Sequence, residues 1–163
     1  MALITSISGI RGVVGAGDKN LNTLNFSSFA LAFGEYLKRK NKGKKIKIVL
    51  GRDGRISGEM FLSLAVQNLI SLGIDVLNID LASTPTVEVA VIKEGATGGI
   101  IISASHNPKE WNALKFLNNK GEFLNEKDGK KILSLAEKKD FSCVEVNNLG
   151  KCQKNFFYDD IHI

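Results

Sequence analysis

Apolar residues follow two different patterns along this chain. In some stretches they recur every three or four positions, as they do in amphipathic helices. In others they form short continuous runs, which are typical of strands covered on both faces. The helical pattern predicts helices around residues 26–37, 61–72, 87–93 and 132–136. The continuous or alternating pattern predicts strands over residues 46–50, 74–79, 98–102 and 113–117.

Polar side chains at the predicted helix starts are of the types that cap helices. Ser57 is expected to cap the second helix and Asn125 the fourth, whereas Asn22, Thr23 and Asn25 are all candidates for the first cap. These signals agree with the helix starts that the apolar pattern predicts.

The order of the elements, in which strands alternate with helices, indicates a parallel sheet with helices on both faces. Only the short loop 104–112 separates the strand that ends at Ser103 from the next one, so we expect those two strands to pair antiparallel. The sequence thus predicts an α/β fold, a three-layer α/β/α domain with a mixed, mostly parallel sheet. Residues 140–155 show few periodic cues, and residues 155–163 look like the beginning of a further helix.

Composition restricts the class of protein without identifying it. The 163 residues suffice for one domain, and 44% hydrophobic with 24% charged residues are typical of a globular protein. No apolar run approaches the roughly 18 residues that span a membrane, and the first residues lack the pattern of a secretory signal. We therefore expect a cytoplasmic protein with no membrane partner. Cys143 and Cys152 have no Cys or His neighbours at metal-ligand spacing, and we expect free thiols.

The net charge of +5 comes largely from seven Lys and Arg residues between Lys38 and Lys47. Such a basic run is a candidate nucleic-acid patch. This run, however, lies between a predicted helix end and a strand, and it has no interleaved aromatic residues on which bases could stack. A solvated connection explains it better, so no nucleic-acid partner is predicted.

The candidate chemistry lies where an apolar strand ends in a polar loop. Residues 98–108 are Gly-Gly-Ile-Ile-Ile-Ser-Ala-Ser-His-Asn-Pro. Ligands of open α/β sheets bind beyond the carboxyl ends of the strands, where this loop and residues 51–58 are expected to lie together. Ser105 is therefore a candidate nucleophile. The alternative is a tight turn whose polar side chains bond only their own backbone.

Two reaction types suit a serine followed by a histidine. A serine hydrolase is not favoured, because the adjacent side chains of Ser105 and His106 diverge and the flanking sequence is not a Gly-x-Ser-x-Gly elbow. Phosphoryl transfer fits better, since it needs a nucleophilic oxygen and nearby cations. Arg11, between Gly9 and Gly12, can offer a guanidinium fork to phosphate from a closely approaching backbone.

Ser-Ala-Ser-His-Asn-Pro, residues 103–108, resembles the active-site signature of the α-D-phosphohexomutases, the family of phosphoglucomutase, phosphomannomutase and phosphoglucosamine mutase. Residues 8–15 are similar to the N-terminal Gly-Ile-Arg-Gly segment of that family, and residues 51–58 look like its second loop. An Asn and a Lys follow at the family's spacing, as Asn112 and Lys115. Four matches in the family's order are far more specific than any one of them.

The resemblance implies that Ser105 is carried as a phosphoserine, which transfers a phosphoryl group between the 1- and 6-positions of a hexose phosphate through a bisphosphate intermediate. It also implies Mg²⁺ as a cofactor, bound in part by the phosphate on Ser105, and a hexose 1,6-bisphosphate as activator. The implied catalytic residues are Ser105, His106 and Lys115, the last for proton transfer and charge stabilisation. The implied substrate or phosphate ligands are Arg11, Asn107 and Asn112.

Residues in the second loop are expected to support the site. Arg52 and Asp53 are predicted to form an ion pair that braces the rim of the sheet, and Arg55 is predicted to be exposed. Two positions depart from the family pattern, with Ser8 where some relatives carry aspartate and Ala113 where many carry glycine.

The resemblance covers only part of the family's chain. The sequence contains neither the family's Asp-Gly-Asp-Gly-Asp-Arg metal loop nor its Ser-Gly-Thr phosphate-binding loop, and the adjacent Asp159 and Asp160 are not equivalent to the former. We therefore expect residues 1–150 to form domain I, residues 151–163 to be a linker or the start of domain II, and domains II to IV to be absent. On this interpretation the fragment alone is inactive, and its partners are a hexose phosphate and the missing domains. The alternative is a non-catalytic phosphate-binding or interaction module.

Overall fold

A seven-stranded sheet organises residues 3–158, which are the residues that the structure, a computed structural model, describes. The strands are β1 (Ile4–Ser6), β2 (Gly9–Val13), β3 (Lys47–Arg52), β4 (Asp75–Leu81), β5 (Gly98–Ile102), β6 (Trp111–Leu117) and β7 (Cys152–Lys154). The helices are α1 (Thr23–Lys40), α2 (Gly58–Ser71), α3 (Thr84–Lys93) and α4 (Glu126–Lys138), and a short 3₁₀ turn covers Val146–Asn148. The four helices and four strands that the periodic pattern predicts between residues 26 and 136 are all present.

The strands lie in the order β1-β2-β6-β5-β3-β4-β7. The three pairings between β1 and β5 are antiparallel, and the three between β5 and β7 are parallel. Only β1 and β6 are reversed within this described sheet, so the other five of its seven strands run in one direction. The predicted mixed, mostly parallel sheet is confirmed, and so is the antiparallel pairing of β5 with β6.

Helices cover both faces of the sheet, as the predicted three-layer architecture requires. The larger core lies between one face and the helices α1, α2 and α4, where Phe33 of α1 stacks on Phe116 of β6 with ring centroids 4.4 Å apart. On the opposite face α3 packs Val87 and Val91 against β3 and β5. Side chains alternate between the two faces along a strand, so Lys115 of β6 points to the α3 side, opposite to Phe116.

Asparagine side chains cap two of the helices as predicted. At the start of α1, the side chain of Asn22 accepts a hydrogen bond from the backbone N of Asn25, and the side chain of Asn25 accepts one from the backbone N of Asn22. At the start of α4, the side chain of Asn125 caps the helix. Ser57 stands at the start of α2 but makes no capping bond with its side chain. Its hydroxyl instead accepts a hydrogen bond from Asn112 Nδ2 at 2.8 Å. Ser57 thus occupies the predicted N-cap position, but its hydroxyl holds β6 to α2 and does not cap the helix backbone.

Three short strands, β1, β2 and β7, were not indicated by the sequence pattern. β7 pairs parallel with β4, and Tyr158, only 2% exposed, packs into the core on the α3 side. These contacts place residues 151–158 against the sheet, and the expected domain boundary at residue 150 stays a prediction. The helix expected over residues 155–163 falls largely on residues 159–163, which lie outside the described residues.

The basic run at the end of α1 is largely paired with carboxylates. Arg39 binds Asp140 at 2.9 Å, Lys45 binds Asp75 at 3.0 Å and Lys47 binds Glu94 at 2.9 Å. This pairing supports the prediction of a solvated surface connection. Both cysteines are exposed and free, as predicted, and no helix within residues 3–158 is long and apolar enough to cross a membrane.

Candidate active site

The serine loop, residues 103–110, joins β5 to β6 through two consecutive turns. The backbone N of Asn107 donates to Ala104 O at 3.1 Å, and the N of Trp111 donates to Pro108 O at 2.9 Å. These bonds reverse the chain so that β6 returns along β5. The turn that the sequence left open as an alternative is therefore present, and its geometry decides where the side chain of Ser105 lies.

Ser105 has a left-handed backbone, with φ +53°. This conformation costs an L-residue about 1–2 kcal/mol, and such strain is characteristic of functional sites. The backbone N of Ser105 donates to Ser103 Oγ at 3.2 Å, so the loop's own side chains help to hold the turn. The strained residue of the loop is thus the one that the sequence identified as a candidate nucleophile.

Lys115 meets Ser105 across the end of the sheet. Its Nζ donates a hydrogen bond to Ser105 Oγ at 2.9 Å. The pKa of Lys115 lies below its usual value, first because the side chain is partly buried and then because Arg11 and Arg55 are positively charged, although Asp53 opposes this effect. An amine that loses its proton more easily than an ordinary lysine, placed on a serine hydroxyl, can exchange a proton with it.

Arg11 is positioned by the pairing of β2 with β6. Arg11 lies opposite Ala113 and Gly9 lies opposite Lys115, so Arg11 and Lys115 share one face of the sheet. Gly9 has φ +147°, and a Cβ built there would lie 1.8 Å from Leu114 O. Only glycine allows β2 to approach β6 this closely, and the approach brings the guanidinium to the site.

Ser105 and Lys115 line a surface cavity of about 260 Å³, with the serine loop on one side and β2 on the other. Its lining residues are Arg11, Ala104, Ser105, His106, Asn107, Ala113 and Lys115. A second cavity of about 260 Å³ shares Arg11, Ala113 and Lys115 with the first and extends to Ser6 and Ser8. The two adjoining cavities offer room for a phosphate and for part of a small ligand that bears it.

The structure brings most of the predicted site residues together but separates one. His106 is exposed and Asn107 half-buried, and both line the cavity beside Ser105. Asn112 is fully buried, and its amide is bonded to Ser57. Its amide thus braces β6 against α2, and its role as a phosphate ligand stays a prediction.

The second loop departs from its predicted arrangement. Arg52 pairs with Asp80 of β4, at 2.6 Å between Nε and Oδ1, and not with its neighbour Asp53. Asp53 pairs with Arg55 instead, at 3.1 Å. The side chain of Arg55 is only 12% exposed and reaches across to the serine loop, so its predicted exposure is wrong. Placing residues 51–58 on the same rim as Ser105 is nevertheless confirmed by this contact.

No group of three His, Cys, Asp or Glu side chains within the described part of the chain is arranged to hold a metal ion. Asp53, a carboxylate close to the serine loop, is engaged by Arg55. Asp159, Asp160 and His162 lie outside the described residues. Around Ser105 the cavity is lined by two basic side chains, Arg11 and Lys115.

A larger cavity of about 460 Å³ lies between α1 and α4, away from these motifs. Four cations line it, namely Arg39, Lys40, Lys131 and Lys138. Arg39 and Lys40 are already paired with Asp140 and Asp128, and no residue of the serine loop lines it. Its larger volume alone does not make this cavity a stronger candidate for the functional site than the cavity beside Ser105.

Comparison with known proteins gives this geometry a context. Residues 3–142 match the family model described as phosphoglucomutase/phosphomannomutase, alpha/beta/alpha domain I. A phosphoglucomutase/phosphomannomutase of Thermococcus kodakarensis is 34% identical over 146 residues, which cover 90% of this chain and 32% of that protein. A phosphoglucosamine mutase of Streptococcus pneumoniae is 38% identical over 122 residues, which cover 74% of this chain and 27% of that protein. The chain thus spans about one third of the length of the curated relatives it matches.

Solved structures show the same fold. A phosphoglucomutase/phosphomannomutase family protein of Burkholderia thailandensis superimposes with a TM-score of 0.77 at 22% identity, covering 97% of this chain and 35% of that one. A Paramecium phosphoglucomutase in an open form gives a TM-score of 0.62 at 22% identity, covering 85% of this chain and 26% of that one. At these identities the likeness concerns the fold alone.

Proposed function

This chain belongs to the phosphoglucomutase/phosphomannomutase family as its domain I, which confirms the resemblance seen in the sequence, and from that premise we propose that it provides the phosphoserine of a phosphohexomutase. In this proposal Ser105 exchanges a phosphoryl group with the 1- and 6-oxygens of a hexose phosphate through a hexose 1,6-bisphosphate. The observation that supports it most is the 2.9 Å contact between Lys115 Nζ and Ser105 Oγ in a cavity that Arg11 also lines.

Phosphorylation of Ser105 begins with a hexose 1,6-bisphosphate in the cavity. Ser105 Oγ forms a bond to one phosphorus atom while the bond from that phosphorus to the sugar oxygen breaks. The Oγ proton passes to the neutral amine of Lys115, and the departing sugar oxygen takes up a proton from the same lysine. The lowered pKa of Lys115 supports this role, because it increases the fraction of neutral amine near neutral pH. The reverse step, on the other sugar oxygen, completes the exchange.

Cations around Ser105 stabilise the group in transfer. The transition state of phosphoryl transfer spreads negative charge over three oxygens, and positioned positive charges lower its free energy. Arg11 and protonated Lys115 line the cavity on β2 and β6, and His106 and Asn107 line it from the serine loop. Ala113 also lines this cavity, and its small side chain leaves space for the phosphate.

Mg²⁺ belongs to the proposal for the complete protein and not to this chain alone. The residues of the described structure do not fit a Mg²⁺ site by themselves, since they offer no cluster of carboxylate ligands. What this chain contributes in the proposal is the phosphate on Ser105, and the remaining ligands come from other parts of the complete protein. The isolated 163-residue chain is accordingly expected to show little or no turnover.

The test uses the complete product of the gene that encodes this chain. It is incubated with hexose 1-phosphates of glucose, mannose and glucosamine, together with the matching 1,6-bisphosphate and Mg²⁺, and the 6-phosphate is followed by ³¹P NMR. We expect interconversion of at least one of the three sugars and its loss in Ser105→Ala. The control Ser134→Ala, on α4, is expected to keep the activity. Phosphate binding without turnover of any of the three would instead support the non-catalytic module.

A further inference from the structure

The guanidinium group of Arg55 donates to four backbone carbonyls around the serine loop. Its Nη1 donates to Pro108 O at 2.6 Å and to Trp111 O at 3.1 Å. Its Nη2 donates to Ser105 O at 2.9 Å and to Asn107 O at 2.8 Å. One side chain on the loop after β3 thus holds both turns that connect β5 to β6.

Asp53 holds Arg55 in turn. The Oδ1 of Asp53 accepts from the backbone N of Arg55 and its Oδ2 accepts from Arg55 Nε, each at 3.1 Å. A guanidinium has five N–H donors, and all five of Arg55 are engaged by these contacts and the four carbonyls. No donor remains for a phosphate, so Arg55 cannot act as a substrate ligand in this arrangement.

We propose that Arg55, oriented by Asp53, is a positioning residue that keeps the serine loop in the geometry in which Ser105 Oγ meets Lys115 Nζ. This inference rests on the proposed function, since it assigns Arg55 a part in the same reaction. The carbonyl held at 2.9 Å belongs to Ser105 itself, the residue whose φ of +53° is unfavourable. A strained residue relaxes unless its surroundings hold its conformation in place. The four hydrogen bonds from Arg55 to the carbonyls, called the Arg55 clamp below, supply that constraint.

Lysine cannot replace this clamp, although it keeps the charge. An ammonium group has three donors on one nitrogen, whereas the planar fork of Arg55 reaches four carbonyls and a carboxylate at once. We therefore expect Arg55→Lys to release part of the serine loop. Displacement of a reacting group by about 1 Å can slow a reaction by about a hundredfold, and we expect phosphorylation of Ser105 to slow by about tenfold to a hundredfold.

Arg52 offers a matched control on the same loop. Its side chain is 14% exposed, close to the 12% of Arg55, and it also forms one ion pair, with Asp80. Its further bond goes to Asp53 O at 3.3 Å, and none of its bonds reaches the serine loop. Arg52→Lys therefore perturbs a buried arginine and its ion pair without removing the clamp.

The experiment has two arms. In the first, the complete gene product is phosphorylated with a hexose 1,6-bisphosphate, and the rate is corrected for the folded fraction by circular dichroism. In the second, NMR of this 163-residue chain measures the backbone coupling of Ser105, which reports φ, and the chemical shift of Lys115 Nζ. Asp53→Asn is measured in both arms as well, because it loosens Arg55 without removing its donors and remains informative if Arg55→Lys does not fold.

The expected result is a loss of at least tenfold in rate for Arg55→Lys, a smaller loss for Asp53→Asn and less than twofold for Arg52→Lys. Ser105 should leave the left-handed region only in the first two variants. Equal losses for Arg55→Lys and Arg52→Lys, or an unchanged Ser105 coupling in Arg55→Lys and Asp53→Asn, would overturn the proposal. If the unaltered protein is never phosphorylated on Ser105, the proposed function fails, and the NMR arm alone decides the role of Arg55.

Discussion

Glycine at position 105 is expected to make the fold more stable than alanine does. Ser105 has φ +53°, and Ser105→Ala removes the hydroxyl but keeps this strained backbone. Ser105→Gly removes both the hydroxyl and the strain, which is worth about 1–2 kcal/mol. The greater freedom of glycine in the unfolded chain offsets about 0.4–1 kcal/mol of that relief. The glycine variant should therefore be more stable than the alanine variant by about 1 kcal/mol.

Urea unfolding followed by tryptophan fluorescence measures this difference. Trp111 is the single tryptophan, lies at the first position of β6 and is 6% exposed in the folded state, so its emission reports unfolding next to the serine loop. For a chain of this size, about 1 kcal/mol corresponds to a difference of about 2–4 °C in melting temperature.

Lys139 provides the internal control for this prediction. It has φ +50° at the carboxyl end of α4 and is exposed, but no part of the site depends on it. Lys139→Gly should exceed Lys139→Ala in stability by a similar amount, without any effect on phosphorylation of Ser105. If glycine stabilises position 139 but not position 105, strain is not stored at the serine, and the argument for its functional conformation is refuted.

Three further predictions concern neighbouring parts of the site. Lys115→Met should raise the urea midpoint at pH 7, because it removes a partly buried cation. The pKa of Lys115 is lowered in the folded state, so the difference in midpoint between the variant and the unaltered chain should shrink as the pH rises through that pKa towards 10.5. A difference in midpoint that widens with pH would contradict this. Asn112→Ala should cost about 1–3 kcal/mol in the same assay, because it removes the buried donor to Ser57, and a neutral effect would argue against the brace. Gly9→Ala should prevent stable folding or lower the free energy of unfolding by more than about 3 kcal/mol. Gly17 has φ +90° and open space around it, so Gly17→Ala should lower that free energy by only about 1 kcal/mol. Equal losses of stability in thermal unfolding would show that the close approach of Gly9 to β6 is not the cause.

The sequence predicted those features that depend on local periodicity. Continuous runs such as residues 98–102 become buried strands because both faces of the sheet are covered, and Asn125 caps α4 through neighbouring backbone alone. β1 and β2 were missed because they lie towards one edge of the sheet and have no continuous apolar run. β2 forms by pairing with β6, about a hundred residues further along the chain, and β1 in turn pairs with β2.

The contact partners of several site residues could not be predicted from local sequence patterns. The resemblance implied a role for Lys115 in proton transfer, and Lys115 Nζ lies 2.9 Å from Ser105 Oγ. The partners of Arg52, Arg55 and Ser57 were not predicted, because each binds a group that lies between 28 and 56 residues away in the sequence. A charged or hydroxyl side chain has several chemically equivalent partners in a sequence, and only the folded sheet selects among them.

Direct detection of a phosphoserine shows whether Ser105 carries the phosphoryl group. The complete gene product is incubated with a hexose 1,6-bisphosphate labelled in its phosphates, and the labelled peptide is located by mass spectrometry. We expect label on Ser105, its loss in Ser105→Ala and its retention in Ser103→Ala, which changes the serine two residues away. Absence of label from Ser105 in the folded, complete protein, or label that persists in Ser105→Ala, would show that Ser105 is not the phosphoryl carrier.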